Sequence, residues 1–243
     1  MAGGRMTEAI TINSALDAGA LGRTFADKGR IHIEDFLAPA SADQLLAAIR
    51  GNQEWYLAYT ENGEAVESPS ADIQRLNPQQ KQQFFARIHQ RAADAFQYCF
   101  LQYYVTESVN RGDNPGHPLH VAHDFVNSEA FLGFMRSLTG EPGIRSADVL
   151  ASCYGPGHYL TSHDDTHHAR DRVAAYVISL TPDWNRNWGG HLAFFDKAGN
   201  IEEALIPCFN ALNVFSVPQF HAVQMVAPFA RSARTSLTGW VHR

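Results

Sequence analysis

The sequence predicts an α+β fold in which helices from the first half of the chain pack against a β core of two sheets. Before Gly140, apolar residues recur at spacings of three and four along several segments, which is typical of helices with one buried face. After Gly140, short apolar runs alternate with clusters of turn-forming residues, which is typical of a sandwich, a barrel or a jelly roll.

A single domain over residues 1–243 is the organisation that these two halves favour. The chain contains 45% hydrophobic and 18% charged residues, an ordinary globular composition. We expect a loose arm over residues 1–22, mainly helical support over residues 23–140, and the main β core with the active site over residues 141–243.

The first elements are a strand and a helix. The apolar pattern alternates over residues 29–37, which predicts a short strand that ends before Pro39. Ser41 and Gln44 have the spacing of a capping box, so a helix is expected from there to Gly51.

A longer helical pattern follows over residues 78–104. Residues 110–117 are dense in turn formers and predict an exposed loop, and Ser128 is placed to cap a helix that ends at Gly140. The apolar runs that predict strands in the second half cover residues 147–154, 173–180, 191–195, 211–216, 221–226 and 235–241.

Charge and cysteine content narrow the class of protein. The formal charge of −6 gives no support for nucleic-acid binding, which usually requires a basic excess. The cysteines Cys99, Cys153 and Cys208 are far apart and lie in apolar surroundings, so we expect three reduced thiols without a disulfide framework. The sequence shows neither a secretion signal nor an apolar run of membrane-spanning length, so a cytoplasmic location without membrane contact is expected.

Three side chains form a candidate metal site. On an extended segment, His163 and Asp165 project to the same side, while Asp164 points away. His221, in a later strand, can supply a third ligand from across the core. Two histidines and one carboxylate form the facial triad of non-heme Fe(II) oxygenases, which leaves coordination positions open. A lone His-x-Asp is weak evidence, because an exposed turn with a capping aspartate explains most such pairs.

Other histidines are weaker candidates for metal ligation. His120, His123 and Asp124 follow a Gly/Pro-rich loop, where solvation of a helix N-terminus is the simpler role. His167 and His168 follow the metal segment and can line its mouth, but the simpler interpretation is exposed loop histidines.

The C-terminal strand strengthens the metal hypothesis. Arg234 and Ser236 lie on one face of this strand, and an arginine offers a planar fork of donors for a carboxylate. A buried arginine near a cationic metal is unfavourable unless an anion joins it. We infer that the anion is the distal carboxylate of 2-oxoglutarate, held by Arg234 with Ser236 as a second donor.

The order of these motifs resembles that of the prolyl-4-hydroxylase-like 2-oxoglutarate/Fe(II) oxygenases. The resemblance covers about residues 147–241 and rests on Tyr154-x-x-Gly, Leu160-x-x-His163-x-Asp165, Trp188-Gly-Gly-His-Leu, His221 and Arg234-x-Ser-Leu-x-x-Trp240. It implies a double-stranded β-helix core, the three metal ligands named above, and Arg234 as the cosubstrate anchor. It also implies that Tyr154 lines the pocket, and that Fe(II), 2-oxoglutarate and O2 are used, with ascorbate as an optional addition.

Two departures from the family pattern leave alternatives open. The loop from His221 to Arg234 is long and contains a rival anchor, Arg231, although the family motif Arg-x-Ser-Leu-x-x-Trp fits Arg234. Related animal enzymes place a cosubstrate-binding tyrosine where this chain has Ser179, and the nearby Tyr176 has the opposite strand parity. The resemblance implies hydroxylation of an unactivated C–H bond of a prolyl residue in a protein or peptide. Hydroxylation of a free amino acid or another small metabolite is the alternative. A non-catalytic binding or sensory protein is a further one, although the complete ligand set argues against it.

Overall fold

The computed structural model describes residues 9–166 and 171–243. The helices within these ranges are α1 (Ala18–Lys28), α2 (Pro39–Gly51), α3 (Ser70–Arg75), α4 (Pro78–Ala92), α5 (Val105–Arg111), α6 (His120–Val126) and α7 (Glu129–Thr139). The strands are β1 (Arg30–Ile33), β2 (Tyr56–Glu61), β3 (Glu64–Pro69), β4 (Tyr98–Tyr103), β5 (Ser146–Ala147), β6 (Leu150–Tyr154), β7 (Tyr159–His163), β8 (Arg172–Leu180), β9 (Leu192–Phe195), β10 (Ile201–Leu205), β11 (Phe209–Ser216), β12 (His221–Val223) and β13 (Arg234–His242).

The strands form one continuous antiparallel array that curls into a nearly closed barrel. Its order is β1-β11-β8-β13-β6-β4-β7-β12-β9-β10, and the β2–β3 hairpin extends from β4. The two end strands approach each other at a seam formed by side chains. There, Arg30 of β1 makes ion pairs with Glu202 and Glu203 of β10, at 3.1 and 2.6 Å. The guanidinium of Arg30 also lies 4.9 Å from the ring centroid of Phe194 in β9.

Strand β13 joins the barrel interior to the helical layer because successive side chains point to opposite faces. Leu237 and Val241 are fully buried in the cluster that packs against the helices. The alternate side chains line an internal cavity, and they are Arg234, Ser236, Thr238 and Trp240.

The helical layer packs on the outer face of the sheet around Phe36. Its ring is fully buried, with the Phe134 ring at 5.4 Å and the Phe131 ring at 6.4 Å between centroids. Burying a phenylalanine of this kind contributes about 1.5–3 kcal/mol. Leu37, the next residue along the chain, is held by the buried side chain of Asn210. The Asn210 amide accepts from the backbone N–H of Leu37 at 2.9 Å and donates to the backbone carbonyl of Leu37 at 2.8 Å.

Several predicted elements are confirmed. The predicted strand within residues 29–37 is β1, and five of the six predicted C-terminal segments correspond to β8, β9, β11, β12 and β13, with residues 147–154 divided between β5 and β6. Ser128 caps α7 by accepting from the backbone N–H of Phe131, and Gly140 ends that helix in a left-handed conformation. The three cysteines are free. In the described ranges, no helix combines the length and apolar composition that a membrane crossing requires.

The predicted helix over residues 78–104 is wrong in its second part. Helix α4 ends at Ala92, and Tyr98–Tyr103 forms β4. Aromatic residues in this segment fit alternation as well as helical spacing, so periodicity alone could not separate the two structures. The β2–β3 hairpin was missed, although its turn residues Asn62 and Gly63, both with positive φ, are a strong hairpin signal.

The N-terminal segment is more ordered than the loose arm predicted for residues 1–22. Residues 1–8 lie outside the described ranges, but Ile10 is buried, Ile12 pairs with Leu37, and α1 already begins at Ala18. The predicted capping box at Ser41 is also wrong, since α2 starts at Pro39, a favoured first helical residue. The Ser41 hydroxyl instead accepts from the backbone N–H of Thr11.

Gly239 of β13 packs closely against the backbone of Asp148. A Cβ atom there would overlap the backbone carbonyl of Asp148, which cannot move without displacing the neighbouring strand. We expect Gly239→Ala to lower the free energy of unfolding by about 3 kcal/mol through overpacking. Chemical denaturation would measure it. The matched control is Gly51→Ala, since nothing lies within 4 Å of that Cβ position, and equal stability of the two variants would contradict the close packing.

Candidate metal and cosubstrate site

The cavity inside the barrel has a volume of about 260 Å³ and is lined by side chains from both halves of the strand array. All six residues predicted to form the site line this one cavity. They are His163, Asp165, His221, Tyr154, Arg234 and Ser236.

The three candidate metal ligands converge at one end of the cavity. His221 of β12 pairs directly with His163 of β7, so the two imidazoles emerge side by side with ring centroids 4.2 Å apart. The Nε2 atoms of His163 and His221 lie 3.3 and 3.5 Å from different oxygens of the Asp165 carboxylate. Among the described residues, this is the group of His, Cys, Asp or Glu side chains whose ligand atoms all lie within 4.8 Å of one another.

Backbone hydrogen bonds select the tautomer of both histidines. Nδ1 of His163 lies 3.0 Å from the Thr161 carbonyl, and Nδ1 of His221 lies 2.8 Å from the Gln219 carbonyl. A carbonyl only accepts, so each Nδ1 carries a proton and each ring turns its Nε2 atom toward Asp165. In the neutral form of the rings, both Nε2 atoms offer a lone pair beside a carboxylate. The donor set therefore fits a divalent metal ion.

The electrostatics keep these groups in the protonation states that bind metal. Burial, followed by the neighbouring His163, lowers the pKa of His221 to about 4. For Asp165, burial alone raises the pKa, but the hydrogen-bonding and electrostatic interactions with His163 and His221 outweigh it, and the net pKa is lowered. Near neutral pH, His221 is neutral and Asp165 is ionised, as metal ligation requires.

The predicted reason for the position of Asp165 is wrong, although the residue reaches the site. Strand β7 ends at His163, and Asp165 lies beyond it in a left-handed conformation with φ of 62°. Strand parity therefore does not direct its carboxylate, and the turn does. Asp164 contributes to this turn by accepting from the backbone N–H of Thr166 at 3.0 Å. Aspartate is one of the few residues that adopt this conformation readily.

Arg234 lies buried in the same cavity with only 4% of its surface exposed. No carboxylate among the described residues forms an ion pair with it, and its guanidinium carbon lies 5.1 Å from the centroid of the Tyr154 ring. Burial lowers the pKa of Arg234, which reflects the unfavourable placement of a cation without an anion. Arg231, the rival anchor, is exposed at the surface.

Two further predicted residues flank this arginine. Tyr154 is buried and stacks on Phe100, with centroids 4.6 Å apart, and burial raises the pKa of its phenol. The hydroxyl of Ser236 lies 2.8 Å from that of Ser152. This part of the cavity therefore offers hydrogen-bond donors and one positive charge, supplied by Arg234, Tyr154 and Ser236.

Neither Tyr176 nor Ser179 contributes to the cavity lining. The Tyr176 hydroxyl donates to the Asp148 carbonyl at 2.7 Å on the helical side of the sheet, and Ser179 donates to the Cys208 carbonyl at 2.6 Å. Val177, between them, is the β8 residue of this stretch that lines the cavity. Strand alternation accounts for the opposite placement of Tyr176 and Val177. Ser179 shares the parity of Val177, but its hydroxyl is taken up by the Cys208 carbonyl.

Sequence reasoning missed several residues that line the cavity. Phe96, Tyr98 and Gln102 lie on or beside β4, which had been assigned to a helix. Arg172 also lines the cavity, and its guanidinium carbon is 3.6 Å from the centroid of the Trp240 ring. The Phe96-x-Tyr98-x-Phe100 alternation was the available signal for the first group, whereas no local signal indicated Arg172.

The rival histidines do not form a second centre in the described residues. His120 begins α6 and its Nε2 lies 3.1 Å from the Ser108 hydroxyl. His123 lies 3.7 Å from the adjacent Asp124. His167 and His168 lie outside the described residues.

Comparisons with known proteins agree with this geometry. Residues 149–242 match the model of the 2OG-Fe(II) oxygenase superfamily. A prolyl 3-hydroxylase OGFOD1 from Xenopus laevis is 29% identical over 121 residues, which are 47% of this chain and 23% of that protein. The chain thus spans about a quarter of the length of this relative.

Solved structures confirm the double-stranded β-helix fold. A prolyl-4-hydroxylase from Pseudomonas putida superposes with a TM-score of 0.60 at 19% identity, covering 93% of this chain and 99% of that one. A Trichoplax adhaerens prolyl hydroxylase in complex with a hypoxia inducible factor peptide gives a TM-score of 0.62 at 15% identity, covering 93% and 88%. At these identities the likeness establishes the fold.

The metal site makes a direct prediction. Because His163 supplies one of three convergent donors, His163→Ala should weaken Mn²⁺ binding, used as a redox-stable probe, by about 100-fold or more. Titration calorimetry would measure the affinity. His123→Ala is the control, since it removes a histidine from the rival His-x-x-His-Asp motif. A loss of binding in His123→Ala but not in His163→Ala would refute the assignment.

Proposed function

We propose that this chain is an Fe(II)- and 2-oxoglutarate-dependent dioxygenase, because residues 149–242 match the model of the 2OG-Fe(II) oxygenase superfamily. Its reaction is hydroxylation of an unactivated C–H bond, and its substrate is a prolyl residue in a protein or peptide. The observation that carries the proposal is Arg234, a buried cation without a carboxylate partner in the described residues, in the same cavity as the His-Asp-His cluster.

The two ends of the cavity match the two ends of 2-oxoglutarate. His163, Asp165 and His221 would hold Fe(II) at one end and leave the remaining coordination positions open. Arg234 offers its guanidinium fork to the distal carboxylate at the other end, with the hydroxyls of Tyr154 and Ser236 as additional donors. When bound, Fe(II) with 2-oxoglutarate and O2 supplies the oxidising power, and the cosubstrate leaves as succinate and CO2.

The remaining lining controls water and orientation. Apolar side chains cover the walls between the cation and the metal ligands, among them Phe100, Leu160 and Val223. They exclude water, which strengthens the interaction of Arg234 with a carboxylate. The fixed tautomers of both histidines present their lone pairs without rearrangement, so the site is organised before its ligands arrive.

The prolyl substrate is supported by the relatives and by the cavity mouth. The Xenopus laevis relative is a prolyl 3-hydroxylase, and both solved structures are prolyl hydroxylases. Phe96 is 48% exposed, and its ring lies 5.4 Å from that of the ligand His163, so it offers an apolar face beside the reacting position. Tyr98 continues this aromatic surface into the cavity, with its ring centroid 5.7 Å from that of Phe96.

A cytoplasmic location stays the prediction made from the sequence.

The cosubstrate assignment is tested by comparing two arginines. Removing a buried charge partner typically costs a few kcal/mol, so Arg234→Ala should weaken 2-oxoglutarate binding by roughly 100-fold, at about 1.4 kcal/mol per tenfold. Mn²⁺ affinity should be retained. Arg231→Ala, the exposed control, should leave 2-oxoglutarate binding unchanged, and binding in the presence of Mn²⁺ would measure both.

Two other outcomes have defined meanings. If Arg231→Ala, and not Arg234→Ala, weakens 2-oxoglutarate binding, Arg231 is the anchor and the motif alignment is shifted. If neither variant affects binding while the His163→Ala variant has lost its metal, the metal site stands and the cosubstrate assignment is wrong.

The substrate class is tested by mass spectrometry. Proline-containing peptides incubated with the protein, Fe(II), 2-oxoglutarate and O2 should gain one oxygen atom on a prolyl residue, with stoichiometric release of succinate. The His163→Ala variant is the inactive control. A product found only among free amino acids or other small metabolites would replace the prolyl assignment, and absence of 2-oxoglutarate turnover with every substrate would contradict catalysis.

A further inference from the structure

We infer that Arg172 is a positioning residue that holds Asp165 in its ligating orientation by fastening the metal-binding turn to Trp240. The inference rests on the proposed metal site and adds to it a residue outside the three metal ligands. Three groups form the arrangement, and they are the backbone carbonyl of Asp165, the guanidinium of Arg172 and the indole of Trp240.

Two contacts made by Arg172 define the arrangement. Its Nη1 atom donates to the backbone carbonyl of Asp165 at 3.0 Å. Its guanidinium carbon lies 3.6 Å from the centroid of the Trp240 ring, which is the separation of a stacked cation–π pair. Arg172 begins β8 and pairs with His242 of β13, so its backbone belongs to the barrel.

Asp165 needs such support because the sheet does not supply it. The residue lies beyond the end of β7, and its backbone has left-handed dihedral angles. Its carboxylate faces His163 and His221, and those contacts fix the oxygens but not the turn that carries them. A hydrogen bond to its carbonyl is the contact that ties the turn to another strand.

Trp240 completes the arrangement from the opposite side. It lies on the cavity face of β13. Its backbone N–H donates to the buried carboxylate of Asp148 at 2.8 Å, which fixes the strand at this point. The indole ring is therefore held in place by its strand, and the Arg172 guanidinium stacks on it.

Arginine suits this role better than lysine. Its planar guanidinium can stack on an indole with one face and donate in its plane at the same time, whereas an ammonium group has no flat face. The observed contacts use both properties, since the stacking partner is Trp240 and the acceptor is the Asp165 carbonyl. The matched substitution is therefore Arg172→Lys, which keeps the charge and removes the stacked geometry.

The test measures metal affinity in the metal-free protein titrated with Mn²⁺, together with the visible spectrum of the Co²⁺ form. Arg172→Lys and Trp240→Leu should each weaken Mn²⁺ binding by about tenfold, the usual effect of residues that orient metal ligands. Trp240→Phe keeps an aromatic face and should bind nearly as the original protein does. The double variant Arg172→Lys/Trp240→Leu should be little weaker than either single variant, because both remove the same support.

Controls separate positioning from general stability. Arg231→Lys changes an exposed arginine and should leave both readouts unchanged. The melting temperature of each metal-free variant should stay within a few degrees of the original, while the Co²⁺ spectrum of Arg172→Lys shifts with the altered ligand geometry. Should Arg172→Ala fail to fold, the Lys and Trp240 variants still decide the matter.

Three results would overturn the inference. One is unchanged Mn²⁺ affinity and an unchanged Co²⁺ spectrum in Arg172→Lys, even if its peptide KM rises, since that assigns Arg172 to substrate contact. Another is a loss of affinity that is matched by a general loss of stability in the metal-free protein. The third is Mn²⁺ binding that persists in His163→Ala, because the metal site itself then fails, and the proposed function fails with it.

Discussion

The alternation of side chains along β13 is the constraint on which both the fold and the site depend. One set, Leu237 and Val241, is buried against the helices, and the other set faces the cavity. A shift of one residue in its pairing with β8 would exchange the two sets and place Arg234 in the apolar layer. Gly239 permits the close approach to Asp148 that fixes this register. The helical layer thus stabilises the barrel and also determines which residues the barrel encloses.

The site itself concentrates groups that are unfavourable together until ligands join them. Two imidazole lone pairs face a carboxylate at one end, and a buried guanidinium has no carboxylate partner in the described residues at the other. Each arrangement costs stability in isolation, and each is the complement of a particular charge. A dication and a dianion together would neutralise both. The cavity is therefore selective for a metal ion and a dicarboxylate bound together, which neither motif alone would be.

The sequence predicted the residues of the site better than the reasons for their positions. The shared face of Arg234 and Ser236 follows from strand alternation, which is a local property. The pairing of His163 with His221 joins two strands that are distant in the sequence, and it was expected only because a metal site needs a third ligand. Asp165 arrives through a left-handed turn, and such a turn has no periodic signature. Arg172 is brought to Trp240 by the pairing of β8 with β13, which is a tertiary relationship that motif spacing does not encode.

The helical half was harder to predict for a related reason. Caps are local, so Ser128 was identified correctly, whereas aromatic residues in the segment up to Tyr103 satisfied two periods at once. The segment becomes strand β4 because it pairs with β2, β6 and β7, and these strands lie far away in the sequence. Distant pairing therefore overrode the local preference in the segment that carries Phe96 and Tyr98 close to the cavity mouth.

The seam of the barrel makes the site tolerant of dissolved salt. Strands β1 and β10 meet through the ion pairs of Arg30 with Glu202 and Glu203, at 3.1 and 2.6 Å. Arg30 also lies over Phe194, and the rings of Phe194 and Phe215 pack against His221. Salt mainly screens charges that are farther apart than about 10 Å at 0.1 M, so it weakens these contact pairs only slightly. The closure that supports the ring of His221 is therefore expected to persist over a wide range of ionic strength.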